Sequence, residues 1–403
     1  MHAVSLNAES DEVDGAGLIR RACDLEPVLR ARATETERNR QISDETIADF
    51  RRAKITRALQ PPHFGGIATD FGVAARVAEA LARGCPSSSW VYCNYILLQW
   101  HVGLFEVQAQ EDVWGTHDEA LVAAGYMPVG VGVRTLHGFR LSGTWRYVSG
   151  IDNSEWCLFG GRVVDADGGN AEQGFFLLPR EDYRIIDDWR AVGLTGTGSH
   201  SVTVDNVIVP RHRFLGLAAC NSCAAPGLSL NTHPIFRAPL YAIFSYFLSG
   251  VALGAAQGAI NDFIAEVRIR KTVGGVTGKQ TPLAHLATVQ IALAEAEAMV
   301  DAGRTLIHRD CDNVMGLLMS GRALTLDQRI DNRRSVGFGV RMAREAVDSL
   351  FDVVGAAGLL NHHPIQRHWR DVHAVAHHLS LNWNQIATLV GGYRLGQEPI
   401  GMF

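Results

Sequence analysis

An excess of positive charge is the first thing this 403-residue chain lacks: 37 Lys and Arg stand against 42 Asp and Glu, a net of −5. That balance suits neither a nucleic-acid backbone nor an anionic membrane as partner. Cysteine is scarce and scattered, seven in all, which suits a reducing cytosol better than a disulfide framework. Cys220-Asn-Ser-Cys223 has no second pair, so it reads as two ordinary thiols rather than a metal or redox site. The acidic N-terminus lacks the basic-then-apolar order of a signal peptide, and a cytoplasmic protein is expected. No long apolar run is unbroken: Leu240 to Gly254 is interrupted by Ser245, Ser249 and Gly250, and reads as a buried core helix rather than a membrane span. There is no internal repeat and no low-complexity segment. The Gly-rich stretch after Leu194 has no following Lys to make it a phosphate-binding loop.

What is present is 47% hydrophobic residues, enough for a large core and more than one domain. The hydrophobic period changes twice. Residues 15–125 read helical. Ser43 or Asp44 can cap a helix bearing Ile47 and Phe50, 73–82 is Ala-rich, and Pro86 opens an apolar helix reaching Phe105. From 126 to 215 the period falls to two: Phe139, Leu141, Gly143 and Trp145 alternate with polar residues, and Phe175–Pro179 and Val207–Pro210 end at prolines. Many short strands predict a small antiparallel barrel or sandwich. From 234 onward long helices return, notably 284–299 and 330–353. The expected domains are a helical one over 1–125, a β-barrel over 126–220 and a four-helix bundle over 221–403, an α+β architecture. The loops 165–170 and 217–231 are candidate insertions or covers.

The chemistry-bearing residues gather late in the chain. Gly355-Ala-Ala-Gly precedes a helix with Arg370-Asp371, followed by His373, His377, His378 and Leu379. His373 and His377 share a helical face, but no third ligand of metal-site spacing accompanies them, so no metal is expected. His362, His363 and His368 suggest no chemical role. Upstream lie Gly143-Thr-Trp-Arg-Tyr-Val-Ser-Gly150, Leu194-Thr-Gly-Thr-Gly-Ser-His-Ser-Val-Thr-Val204 and Arg270-Lys-Thr-Val-Gly274.

Together these segments resemble the acyl-CoA dehydrogenase superfamily over nearly the whole chain, in the branch of two-component flavin-dependent monooxygenases such as the p-hydroxyphenylacetate and indole hydroxylases. The dehydrogenases carry a carboxylate base soon after Arg-Asp or on the first C-terminal helix. Here imidazoles follow Arg370-Asp371, and Tyr241–Gly250 holds no carboxylate. The resemblance implies an oxygenase component that takes reduced FAD or FMN from a separate NAD(P)H:flavin reductase, adds molecular oxygen to give a flavin hydroperoxide, and hydroxylates an aromatic substrate. It also implies a homotetramer, with Arg270 reaching a neighbouring cofactor, although Val273 replaces the family's aromatic residue.

By the same resemblance, Trp145 is the expected flat wall for the flavin. Ser149, Thr195, Thr197 and Ser199 are expected to bond its polar edge, Gly196 and Gly198 to allow close approach, and Arg270 and Arg370 to supply charge. His378 is the expected catalytic base and Ser149 the partner of the hydroperoxide, with His373 a weaker candidate. Leu98, His101, Phe244 and Phe247 are expected to line the substrate pocket. Related hydroxylases often carry His where Leu98 stands, and neither pocket helix near Leu98 or Phe244 bears Arg or Lys. A neutral aromatic substrate (a phenol, polycycle or indole) is therefore expected. N-oxygenation of an amine or amino sugar is the first alternative, and acyl-CoA dehydrogenase-type oxidation the second.

Overall fold

The computed structural model describes residues 13–165, 172–272 and 280–401; Val273 and Gly274 of the Arg270 segment, and most of the 165–170 loop, lie outside them. The N-terminal helices are α1 (Gly15–Asn39), α2 (Asp44–Arg52), α3 (Phe71–Gly84), α4 (Pro86–Val102) and α5 (Val107–Trp114). Ser43 caps α2, its side chain accepting from Thr46 N, with Asp44 and Glu45 in the positive first turn. All of α4 except Asn94 is buried, because it runs through the centre of the molecule and is apolar on every side.

The strands are β1 (Val122–Thr135), β2 (Gly138–Val148), β3 (Trp156–Val164), β4 (Glu172–Pro179), β5 (Arg184–Ile186), β6 (His200–Pro210) and β7 (Phe214–Gly216). They form one sheet in the order β5-β6-β2-β1-β3-β4-β7. One pair departs from the antiparallel expectation: β1 and β3 run parallel. The β1–β2 hairpin lays β2 on one side of β1, and a single helical turn at Ile151–Asn153 returns the chain to the other side. The sheet curls about its own core, where Phe139, Leu141, Trp145, Phe159, Phe176 and Val202 meet.

The C-terminal part contains α6 (Leu217–Asn221), α7 (Leu240–Val267), α8 (Ala287–Met319), α9 (Leu326–Val354), α10 (Pro364–Ala376) and α11 (Trp383–Arg394). The most apolar window of α7 is 89% buried, so α7 is the central helix of this bundle. A Thr325/Gln328 capping box starts α9, and Gly355, at φ +72, ends it.

Trp145 faces inward and is not a cofactor wall. Its indole is 1% exposed, packs 4.5 Å from the Phe159 ring, and donates to Gly160 O at 2.8 Å. A Cβ at Gly130 would stand 2.4 Å from the indole, so that glycine exists to admit it. Trp145→Ala should therefore destabilise the fold by about 3–5 kcal/mol through the cavity left behind. Urea unfolding checks the loss; unchanged stability with weakened flavin binding would return Trp145 to the cofactor site.

Candidate active site

Five parts of the chain converge where the sheet meets the helices. From α4 comes Trp90, from the end of β2 Ser149, from the loop before β6 Thr197 and Ser199, and from α7 Phe244, while His378 follows α10. Trp90 Nε1 donates to Ser149 Oγ at 3.1 Å, Ser149 Oγ lies 2.8 Å from Ser199 Oγ, and Ser199 Oγ lies 2.6 Å from Thr197 Oγ1. Thr197 Oγ1 donates to Leu194 O at 2.8 Å. The two ends fix the direction of this chain. An indole N–H can only donate and a carbonyl can only accept, so every hydroxyl between them donates toward Leu194. Ser149 has thus spent its proton on Ser199 and retains one lone pair: it meets any further group as an acceptor.

Leu194 anchors the chain. Its N–H donates to Asp371 Oδ1 at 2.6 Å. Burial raises the Asp371 carboxyl to about 6, against the Leu194 hydrogen bond that favours its ionised form. Arg370 beside it is occupied within its own chain, paired with Glu37 at 2.6 Å and donating to Val192 O at 2.7 Å. The Arg-Asp pair therefore clamps the loop to α10, and Arg370 is a positioning group, not a cofactor ligand.

The other hydroxyl-loop residues turn away from the seam. Thr195 Oγ1 donates to Ala191 O, and a Cβ at Gly196 would stand 2.4 Å from Thr36 Cγ2 of α1. Gly198, at φ +54, donates its N–H to Arg40 O. Gly196 and Gly198 thus admit neighbouring protein rather than a cofactor. Arg270 ion-pairs with Glu266 and donates to Val354 O, at the opposite ends of α7 and α9 from Phe244, so it does not reach its own subunit's seam.

His378 lies 5.3 Å from the Trp90 ring and stacks at 6.2 Å on Phe244. Burial, with Arg333 adding to it, lowers its pKa to about 4, so it is neutral at pH 7. Its Nδ1 accepts from Ser380 N at 3.3 Å and lies 2.7 Å from Ser380 Oγ. An accepting Nδ1 puts the proton on Nε2, which makes His378 a hydrogen-bond donor at its free end. In this arrangement His378 presents a donor at Nε2, where a general base was expected to present an acceptor. His373 is not part of the site, because its Nε2 pairs with Asp348 Oδ1 at 2.8 Å and ties α10 to α9.

The apolar wall differs from expectation at two positions. Leu98 is fully buried in the main core, and Phe247 is fully buried and packs 6.0 Å from Phe71 of α3. In their place Tyr126 of β1 stands edge-on to Phe244 at 5.2 Å. His101 reaches this wall indirectly, stacking on Tyr126 at 5.8 Å with Nδ1 3.1 Å from its hydroxyl and Nε2 3.3 Å from Cys220 Sγ. Burial depresses the His101 pKa to about 3, so it too is neutral. Trp90 and Tyr126 were not singled out by sequence, and Arg333 is a third such residue.

Residues 246–383 match the family described as acyl-CoA dehydrogenase, C-terminal domain. The chain is 36% identical over 352 residues, 87% of its length and 91% of the other's, to a flavin-dependent monooxygenase, oxygenase subunit HsaA, of Rhodococcus jostii (strain RHA1). It is 34% identical over 391 residues, 96% of both chains, to an FADH(2)-dependent resorcinol hydroxylase, oxygenase component, of Rhizobium sp. (strain MTP-10005). The structure of XiaF from Streptomyces sp. in complex with FADH2 and glycerol matches with a TM-score of 0.90 at 30% identity, covering 96% of this chain and 97% of that one. The chain belongs to the flavin-dependent monooxygenases of acyl-CoA dehydrogenase fold, as an oxygenase component. Reduced flavin and oxygen are its cofactors, a separate flavin reductase its partner, and an aromatic compound its substrate.

The buried hydroxyl chain fits such a cofactor, because it leaves an acceptor at Ser149. Reduced flavin carries a ring N–H where oxidised flavin has a bare nitrogen, so an obligate acceptor favours the reduced form. Thr197→Val cuts the tie to Leu194 that fixes this direction, so that Ser149 can turn its proton toward a bare nitrogen. The ratio of oxidised to reduced flavin Kd should fall about five- to tenfold, the worth of one hydrogen bond. Anaerobic titration with each form checks it, and an unchanged ratio with both forms still bound would refute the assignment.

Proposed function

We propose that this oxygenase hydroxylates an electron-rich ring carbon of a phenol, a fused polycycle or an indole, in the cytosol and as a homotetramer. The observation that carries the substrate class is the wall of Trp90, Phe244, Tyr126 and His378, an aromatic enclosure whose two ionisable members, the His378 imidazole and the Tyr126 phenol, are both held neutral by burial. Exposed Leu359, Leu360, Leu379 and Leu395, in the turns that follow α9, α10 and α11, offer surface for assembly. An amino sugar would require carboxylates, and none stands on this wall.

Bound reduced flavin supplies two electrons to oxygen; one atom enters the ring C–H as C–OH and the other leaves as water. Ser149 and Ser199 would hold the polar edge of that cofactor as acceptors. Trp90 and Phe244 exclude water and sandwich the substrate ring. His378 would orient the substrate by donating from Nε2 to its phenolic oxygen, as a neutral group throughout the working pH range. Asp371 keeps the loop in place while ionised.

Labelled oxygen gas, a flavin reductase and a panel of phenols, indoles and aryl amines test the proposal. Label in a ring hydroxyl is the expected result, and label only in oxidised amines would replace it with N-oxygenation. The pH dependence is also set. Product per oxygen consumed should fall as pH drops through about 6, where the Asp371 carboxyl takes a proton and its grip on Leu194 weakens. Asp371→Asn should abolish that fall and His378→Gln should not, because the imidazole takes no proton until about pH 4.

A further inference from the structure

Arginine 333 is half-buried, and among the described residues no counter-charge meets it. It lies on α9 one helical turn beyond Arg329, and its Nη1 donates to Ser245 Oγ, next in sequence to the Phe244 that stacks on His378. Its Nε is closed off from solvent with no partner, as is the Nε of Arg329. Burial lowers the Arg333 guanidinium to about 10. Among the described residues, no carboxylate pairs with Arg333, Arg329, Arg322 or Arg237. The last three line one cavity of about 510 Å³ between the 221–239 segment and the α8–α9 turn, and no Asp or Glu lines it. A guanidinium held partly away from water without an anion is costly, and a bidentate carboxylate is the group its planar fork fits best.

We propose that Arg333 anchors a carboxylate carried by the aromatic substrate, with the Arg329 cavity as its approach. This rests on the monooxygenase reading for the ring, adds the substituent, and replaces the neutral substrate expected from the cation-free helices near Leu98 and Phe244. The ring sits against Phe244 and His378, and the side chain extends along α9 toward Arg333. Both polar groups at this end are donors, the His378 Nε2–H and the guanidinium, so the substrate presents oxygens to both. The two helices near Leu98 and Phe244 carry no cation; a third helix supplies it.

Equilibrium dialysis of the full-length protein with 4-hydroxyphenylacetate and with 4-ethylphenol tests this, since the pair differs by a carboxylate in place of a methyl. Wild type should bind the acid at least about tenfold more tightly. Arg333→Gln should erase the preference while leaving 4-ethylphenol and reduced flavin within about twofold, and Arg333→Lys should keep part of it. A wild type that binds neither compound, or both equally, overturns the proposal even if no variant folds. So does a preference that survives in R333Q. An R333Q protein with altered oligomer mass would assign the guanidinium to a neighbouring copy, and one with weakened flavin binding would assign it to a flavin phosphate; either replaces the proposal. Binding needs no turnover, so failure here is separate from failure of ring hydroxylation in the labelled-oxygen assay.

Discussion

Leu194 is gripped from both sides: Asp371 accepts from its N–H, and its carbonyl accepts from Thr197. The residue sits at φ +51, a left-handed conformation costing a branched side chain about 1–2 kcal/mol. A buried, charge-assisted hydrogen bond of about 1.5–3 kcal/mol offsets that strain. The orientation of the Leu194 carbonyl then dictates the direction of each hydroxyl back to Trp90. One residue thereby links α10, the loop before β6, the end of β2 and α4. The Arg-Asp pair, which in a dehydrogenase reading would be a prelude to a missing base, serves here as the anchor of that order.

The polarity of the site follows from the same constraint. Ser149 is an acceptor because its proton is committed, while His378 is a donor because Ser380 occupies its Nδ1. An acceptor stands on the sheet side, where the cofactor edge belongs, and a donor on the helical side, where the substrate belongs. Burial keeps both His101 and His378 neutral, so the enclosure carries no titrating charge near neutral pH. Water exclusion and fixed hydrogen-bond direction are what such a protein adds to a reactive cofactor.

Much of this was legible in the chain. The switch from period 3.6 to 2 and back located the sheet between two helical parts, and α7, α8 and α9 fall where apolar helices were expected. The single parallel pair was not legible, because strand order depends on which side of β1 the returning chain takes. Ser149, Ser199, Thr197, Phe244 and His378 were found and converge. Trp145 was misplaced although its signal was present: it alternates in phase with Phe139 and Leu141, which point into the sheet's core. Trp90 was missed because an indole in an all-apolar helix looks like core. Arg333 lies in a charged run, Asp331 to Arg334, that reads as solvated surface. Its phase tells otherwise, since Ile330, Gly337 and Val340 are buried at helical spacing from it. The roles of Gly196, Gly198 and Arg370 were invisible, because only the fold shows that α1 and the 192–194 backbone fill the space beside them.

If the hydroxyls act as one ordered chain, Trp90 and Thr197 must be energetically coupled although they never touch. A double-mutant cycle on the Kd for reduced flavin, using Trp90→Phe, Thr197→Val and the pair, measures that coupling directly. The account predicts an interaction of at least about 0.5–1 kcal/mol, with the double variant losing less than the sum of the two singles. Strict additivity, in variants that retain native stability, would mean that the two ends act independently and that no directed chain seats the cofactor.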